Sequence, residues 1–94
     1  MSEYRIFETD EFAKRFGKLA AEPRAFLQRN LAVSVYPQLR KMPYCGPNIR
    51  KLAGYDPETW RYRIGRFRVF YMVREDARVV YILSVDDRKD AYRG

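Results

Sequence analysis

The stretch from Trp60 to Val73 leaves the backbone little choice. Trp60, Tyr62 and Ile64 alternate with Arg61 and Arg63, a period of two that sends apolar side chains to one face of a strand and guanidinium groups to the other. Gly65-Arg66 then fits a two-residue hairpin turn with glycine at its first central position. Phe67, Val69, Tyr71 and Val73 resume the alternation. Pairing about that turn sets Ile64 opposite Phe67, Arg63 opposite Arg68 and Tyr62 opposite Val69. Like charges directly across a strand pair are destabilising, so two facing arginines require another reason to be there.

A three-residue loop, Glu75-Asp76-Ala77, carries this parity into Arg78–Val85. In that register Val69, Tyr71 and Val73 meet Val79, Tyr81 and Leu83 on the core face, and Ser84 falls beside Arg68. Phe70, Met72, Val80 and Ile82 then share the opposite face with the arginines. Upstream, Tyr4–Phe7 reads as an opening strand. Thr9 can cap a helix whose first turn holds Asp10 and Glu11, acids favoured by the positive end of the helix dipole. Phe12, Phe16, Leu19 and Ala20 give that helix one apolar stripe. Pro23 fits the first position of a second helix and Pro37 stops it; Phe26, Leu27, Asn30, Leu31, Ser34 and Val35 form its mixed face. Residues 37–48 read as a loop and Ile49–Leu52 as a brief strand. The expected fold is α+β over a single domain, 1–94: an N-terminal strand, a two-helix hairpin, then an antiparallel three-stranded meander, with the helices on one sheet face.

Charge narrows the function. Residues 40–94 hold thirteen basic side chains against seven acidic, whereas 1–39 hold six against five. Arginine outnumbers lysine fourteen to five, a bias that suits planar, bidentate contact with phosphate. A polyanion partner is favoured, nucleic acid before acidic protein or membrane. With no histidine and one cysteine, the chain has no Ser-His-Asp triad, Cys-His dyad, paired-histidine RNA cleavage, internal disulfide or usual zinc cluster. No apolar run approaches a membrane span, and Met1–Glu3 lead straight into polar sequence, so a soluble, cytoplasmic protein without metal or cofactor is expected.

The candidate site is the arginine face. Arg61, Arg63 and Arg68 share it, and the residues after Val85 leave the sheet at the same end, so Arg88 and Tyr92 follow close by. Two readings fit: an anion site where guanidinium groups meet a phosphate and Tyr92 stacks or donates, or a solvated face with local pairs to Asp86, Asp87 or Glu58. Other features reduce to structure. Trp60, Tyr62, Phe67 and Tyr71 alternate as core residues do. Asp86 and Asp87 point to opposite faces and cannot share a proton or metal. Cys45 has no partner base, and Gly46 and Gly54 have the wrong spacing for a phosphate loop.

Lys51-Leu52-Ala53-Gly54, then Trp60-Arg61-Tyr62-Arg63-Ile64-Gly65 and Phe67-Arg68-Val69-Phe70-Tyr71, together resemble the RelE/ParE superfamily of bacterial and archaeal toxins. The ending, Val80-Tyr81-Ile82-Leu83-Ser84-Val85 followed by Arg88-Lys89-Asp90-Ala91-Tyr92-Arg93, is similar to the same family. The resemblance implies a toxin held inactive by a cognate acidic antitoxin, oligomeric only through that complex. Its RelE branch cleaves messenger RNA in the ribosomal A site; its ParE branch inhibits DNA gyrase without being a nuclease. Carried over by position, the residues around the scissile phosphate are Arg61, Arg63, Arg68, Arg88 and Tyr92, with Lys51, Arg66 and Lys89 as further RNA contacts. Two positions depart from the family pattern. Ala53 stands where many relatives have a basic residue, with Lys51 as its substitute, and Asp87 stands where relatives often have histidine.

The implied reaction is attack of a ribose 2′-OH on its own 3′-phosphate with loss of the next 5′-oxygen, which needs no metal. Arg61, Arg63 and Arg68 would stabilise the charge of the phosphorane. Arg88 or a water serves the leaving oxygen. Tyr92 stacks on a base or acts as base, and Asp87 is a rival base if its side chain turns inward. A gyrase inhibitor without nuclease activity and an inactive RNA-binding relative are the alternative readings.

Overall fold

In the computed structural model, which describes residues 3–87, the chain runs β1 (Arg5–Glu8), α1 (Asp10–Gly17), α2 (Ala21–Asn30), a π-helical turn (Leu31–Val35), α3 (Tyr36–Lys41), β2 (Ile49–Leu52), β3 (Thr59–Ile64), β4 (Phe67–Arg74) and β5 (Val79–Asp87). The strands form one sheet in the order β1-β5-β4-β3-β2. Every neighbouring pair is antiparallel except β1 and β5, which run parallel. The α+β architecture is the expected one, with β2 and β1 extending the meander at its two edges. Among the described residues no helix is long and apolar enough to cross a membrane.

Thr9 caps α1 as its chemistry predicts: the Oγ1 accepts from the Phe12 amide at 3.2 Å. The same hydroxyl donates to the Ile82 carbonyl at 2.8 Å, so the cap also ties α1 to the edge of β5. The second helix does not stop at Pro37. It passes through the wide turn at Leu31–Val35, where the Tyr36 amide reaches back to the Leu31 carbonyl, and Pro37 sits in the first turn of α3, where a missing N–H costs little. The wide turn also serves packing. Leu27, Leu31, Val35 and Leu39 recur at a spacing of four and are all buried. In a regular α-helix a stripe of that spacing drifts around the axis; a locally wider turn reduces the drift and holds it on the sheet. The loop expected from residue 37 therefore begins only after Lys41.

The β3–β4 hairpin has the predicted register, including Ile64 opposite Phe67, Arg63 opposite Arg68 and Tyr62 opposite Val69. The β4–β5 register differs. Arg74 pairs with Val79 across a four-residue turn in which Arg78 takes φ 55°, and the Arg78 amide donates to the Glu75 carbonyl at 3.3 Å. One residue more in the turn shifts the parity, so Val80 and Ile82, not Tyr81 and Leu83, lie in the core opposite Val73 and Tyr71. A bulge then intervenes: Tyr71 pairs with Ile82 but Phe70 with Ser84, leaving Leu83 as the extra residue. Beyond it Val85 is buried opposite Val69, and Asp86 rather than Ser84 faces Arg68.

The helices cover one sheet face, where their leucine stripe packs on Tyr62, Ile64, Phe67, Val69, Tyr71, Val80 and Ile82. The loop after α3 is pinned to that core by the buried Tyr71 hydroxyl, which donates to the Pro43 carbonyl at 2.6 Å. Glu75 gathers three donors at the far end: Tyr44 at 2.6 Å, Tyr4 at 2.7 Å and Arg78 at 2.6 Å. These contacts hold its carboxyl below the ordinary value, the Tyr44 hydroxyl foremost.

Two outcomes follow for stability. Ile82→Ala is expected to cost about 2–5 kcal/mol, as for a buried large-to-small change, and Leu83→Ala well under half of that, read as urea midpoints at equal slope; the expected three-residue turn would reverse the order. Because the Glu75 carboxyl is depressed in the folded state, its contribution is present above pH 4.5, the ordinary glutamate value, and is lost as pH falls through the lower folded value. Glu75→Gln should therefore lower the melting temperature at neutral pH and flatten the acid limb of the stability profile.

Candidate functional site

Strand parity builds the site on the face that the helices leave uncovered. Arg61 and Arg63 come from β3 and Arg68 from β4, where Arg63 and Arg68 are direct cross-strand partners. The edge strand β2 adds a fourth, since Arg50 pairs with Arg61. Two ranks result: Arg50, Arg61, Phe70 and Ser84 in one, Arg63, Arg68 and Asp86 in the next. Neighbouring strands lie about 4.8 Å apart and alternate residues of one strand about 6.8 Å apart, so four guanidinium groups share a small surface.

The local carboxylates do not neutralise them. Asp86 faces Arg68 in register, yet its ion pair is with Arg15 of α1 at 3.3 Å. Asp87 has the parity of its partner Phe67, on the helix-covered side, and pairs with Arg66 at 3.1 Å. Glu58 pairs with Lys51 at 2.8 Å. Each of the three acids that could have made this a self-paired surface is therefore engaged elsewhere. Arg61 is half-buried, and its Nε has no hydrogen-bond partner among the described residues. Burial first, then the charges of Arg50, Arg63 and Arg68, hold its pKa below the ordinary arginine value. Arginine remains cationic through such a shift.

Of the residues proposed from sequence, Arg61, Arg63 and Arg68 are brought together. Lys51 is not: it pairs with Trp60, on the alternate parity from Arg50. Arg66 sits in the β3–β4 turn, bound to Asp87 and stacked over the Phe67 ring at 5.4 Å. Arg88, Lys89 and Tyr92 lie outside the described residues. Asp87 does not turn toward the arginines, so the condition for its use as a base is not met. Arg50 was missed. Its signal was the pair of adjacent cations in Ile49-Arg50-Lys51-Leu52, but no turn motif between Leu52 and Thr59 fixes which of the two meets Arg61.

The arrangement can bind and stabilise negative charge. Guanidinium groups on this face can make charge-assisted contacts to phosphate oxygens, and the like charges of Arg50, Arg63 and Arg68 around the partly desolvated Arg61 make the empty site unfavourable and the occupied one relieved.

Comparison with known proteins agrees with this architecture. The family model described as the ParE toxin of the type II toxin–antitoxin system, parDE, matches residues 9–92. A curated protein of Methanocaldococcus jannaschii carrying the name toxin RelE1 is 44% identical over 46 residues, 49% of this chain and 50% of that one, so the chain spans about half the length of the curated relative it matches. Among solved structures, the RelBE2 toxin–antitoxin complex of Mycobacterium tuberculosis superposes with a TM-score of 0.70 at 21% identity, over 92% of this chain and 99% of that one. The isolated RelE toxin of E. coli gives 0.62 at 21% identity over 96% of each chain. The archaeal RelE–RelB complex of Pyrococcus horikoshii OT3 gives 0.58 at 24% identity, over 92% of this chain and 96% of that one. At these identities the structural likeness establishes the fold.

If the arginines repel one another in the free protein, Arg63→Gln should raise stability by about 0.2–1 kcal/mol at low salt. The gain should shrink as added salt screens the pair. Urea unfolding at low and high ionic strength checks both signs.

Proposed function

The chain belongs to the ParE toxin family of type II toxin–antitoxin systems, within the RelE/ParE superfamily, and on that premise we propose that it is a RelE-type toxin: a cytoplasmic endoribonuclease that cuts messenger RNA in the ribosomal A site and is neutralised by a cognate acidic antitoxin. The observation that carries this reading is the arginine cluster of β3 and β4, which among the described residues has no carboxylate ion pair on the open face of the sheet. A site built to stabilise a phosphorane needs donors held in place before charge develops, in surroundings drier than bulk water. Rigid strands and the half-buried Arg61 supply both.

The chemistry is an internal transfer. The 2′-oxygen of one ribose bonds to its 3′-phosphorus as the bond to the next 5′-oxygen breaks, leaving a cyclic phosphate and a 5′-hydroxyl. The 2′ proton leaves to a base and the departing oxygen gains one. Arg61, Arg63 and Arg68 take the developing charge. The remaining roles are assigned to Arg88 or a water, stabilising the leaving oxygen, and to Tyr92, stacking on a base or accepting the 2′ proton; both residues lie outside the described ones. A site rich in charge stabilisation and poor in proton transfer gains most when its substrate is held in line by another body, which favours a message fixed on the ribosome over free RNA. An acidic antitoxin segment folding over the domain would place carboxylates into the same cluster.

A gyrase-inhibitor reading is favoured by one observation, the ParE description of the matched family. Primer extension on a translating message, with antitoxin-free protein, separates the two. Cuts within A-site codons are expected, and Arg68→Ala should lower their rate by about 10²-fold or more, as for loss of one transition-state donor, while the melting curve stays within a few degrees. Folded protein that makes no cut and instead blocks gyrase supercoiling would move the assignment to the second reading.

A further inference from the structure

The fourth arginine has no part in the cluster as the sequence presents it, and its position is unlike that of the other three. Arg50 lies on the edge strand, exposed, one strand outward from Arg61. Arg63 and Arg68 form the neighbouring rank, displaced along the strands by about 6.8 Å. Lys51, next in sequence, is turned to the alternate parity and engaged by Glu58, so β2 offers this face one cation and Arg50 is it. Among the described residues Arg50 enters no ion pair. Its cross-strand partner is Arg61, so it stands one strand spacing, about 4.8 Å, outward from that residue along the sheet.

We propose that Arg50 binds the phosphate adjoining the one held by Arg61, Arg63 and Arg68, so that the site grips two consecutive phosphates of a single-stranded polynucleotide and fixes the path of the strand toward the β2 edge of the sheet. The inference rests on the nucleic-acid reading given above and adds to it a second phosphate subsite. Arg50 contributes to holding the strand and not to the reacting centre. The contact is solvent-exposed, so its signature is a salt-dependent share of affinity, and not a change in turnover once the site is filled.

The test uses the whole chain and a single-stranded oligonucleotide of about ten nucleotides, within the range that such grooves cover, carrying deoxyribose at every position so that no 2′-hydroxyl is present to react. Anisotropy titrations across a salt series give the slope of log affinity against log salt. Loss of one phosphate contact lowers that slope by about 0.7 for a single strand. Arg50→Gln should show that loss with an affinity drop of roughly threefold to tenfold at about 50 mM salt. Arg50→Lys should recover most of it, and Arg29→Gln, the same charge change on exposed α2, should leave the slope alone. A dinucleoside monophosphate, titrated by chemical-shift changes of the arginine Nε–H groups, offers one phosphate only. On it Arg50→Gln should bind as the unaltered protein does.

An unchanged slope for Arg50→Gln, with steep salt dependence in the unaltered protein, would overturn the second subsite and leave the nucleic-acid reading standing. An equal penalty on the dinucleoside would place Arg50 on the first phosphate and overturn the inference in its stated form. No binding of the oligonucleotide by the unaltered, folded protein would sink both.

Discussion

Backbone pairing between β3 and β4 is the constraint on which the rest depends. Once Gly65-Arg66 closes the hairpin, the hydrogen-bond ladder sets Arg63 opposite Arg68 whether or not the charges favour it. The ladder and the aromatic core beneath it outweigh the repulsion, since a like-charged pair across strands costs only about 0.2–1 kcal/mol while burial of each large apolar side chain returns about 1.5–3 kcal/mol. Tyr62, Ile64, Phe67, Val69 and Tyr71, all buried, hold the strand pair from one side so that the arginines can be displayed on the other. The same alternation thus produces the core and the site, and neither can be shifted by one residue without exchanging them.

The carboxylates are distributed by the last strand. The bulge at Leu83 restores Val85 to the core and sets Asp86 and Asp87 on opposite faces. Asp87 goes to the helix side and meets Arg66. Asp86 stays with the arginines but is drawn outward by Arg15, which also holds Glu11 at 2.6 Å. Thr9 fixes this arrangement, because its hydroxyl caps α1 and donates to the carbonyl of Ile82 beside the bulge. A helix cap, a bulge and an ion pair together keep the open face cationic.

How much of this was legible depended on whether a local pattern had one solution. The hairpin at 59–74 did, because strict alternation and a glycine turn admit a single register, and so the central three arginines could be named from sequence. Thr9 with Asp10 and Glu11 was equally explicit. The segment Val79–Val85 was not: it is apolar at nearly every position, so periodicity cannot tell its faces apart, and the turn before it uses Arg78 at positive φ, a conformation that arginine does not advertise. Pro37 misled for a similar reason, since a widened turn absorbed what would otherwise end the helix. Arg50 and Lys51 stand side by side, and only the observed pairing with Arg61 and Trp60 says which one joins the cluster.

The chemistry open to such a face is set by what the fold removes from it as much as by what it displays. Without histidine, with Asp87 on the other face and Asp86 paired to Arg15, the arginine surface has strong electrostatics and, among the described residues, no unpaired carboxylate to move a proton. Arg61 makes this concrete: half-buried, with a buried Nε that has no hydrogen-bond partner among the described residues and three like charges around it, its cation is poorly compensated until an anion lies against the cluster. Occupation by a phosphodiester, monoanionic at rest and developing toward a dianionic phosphorane, relieves that burden most when the charge is greatest, which is the differential binding that lowers a barrier. On the proposed function the protein therefore contributes a preorganised field, and positioning of the 2′-oxygen is left to whatever holds the strand in line. A second phosphate gripped at Arg50 would supply part of that alignment from the toxin's own surface.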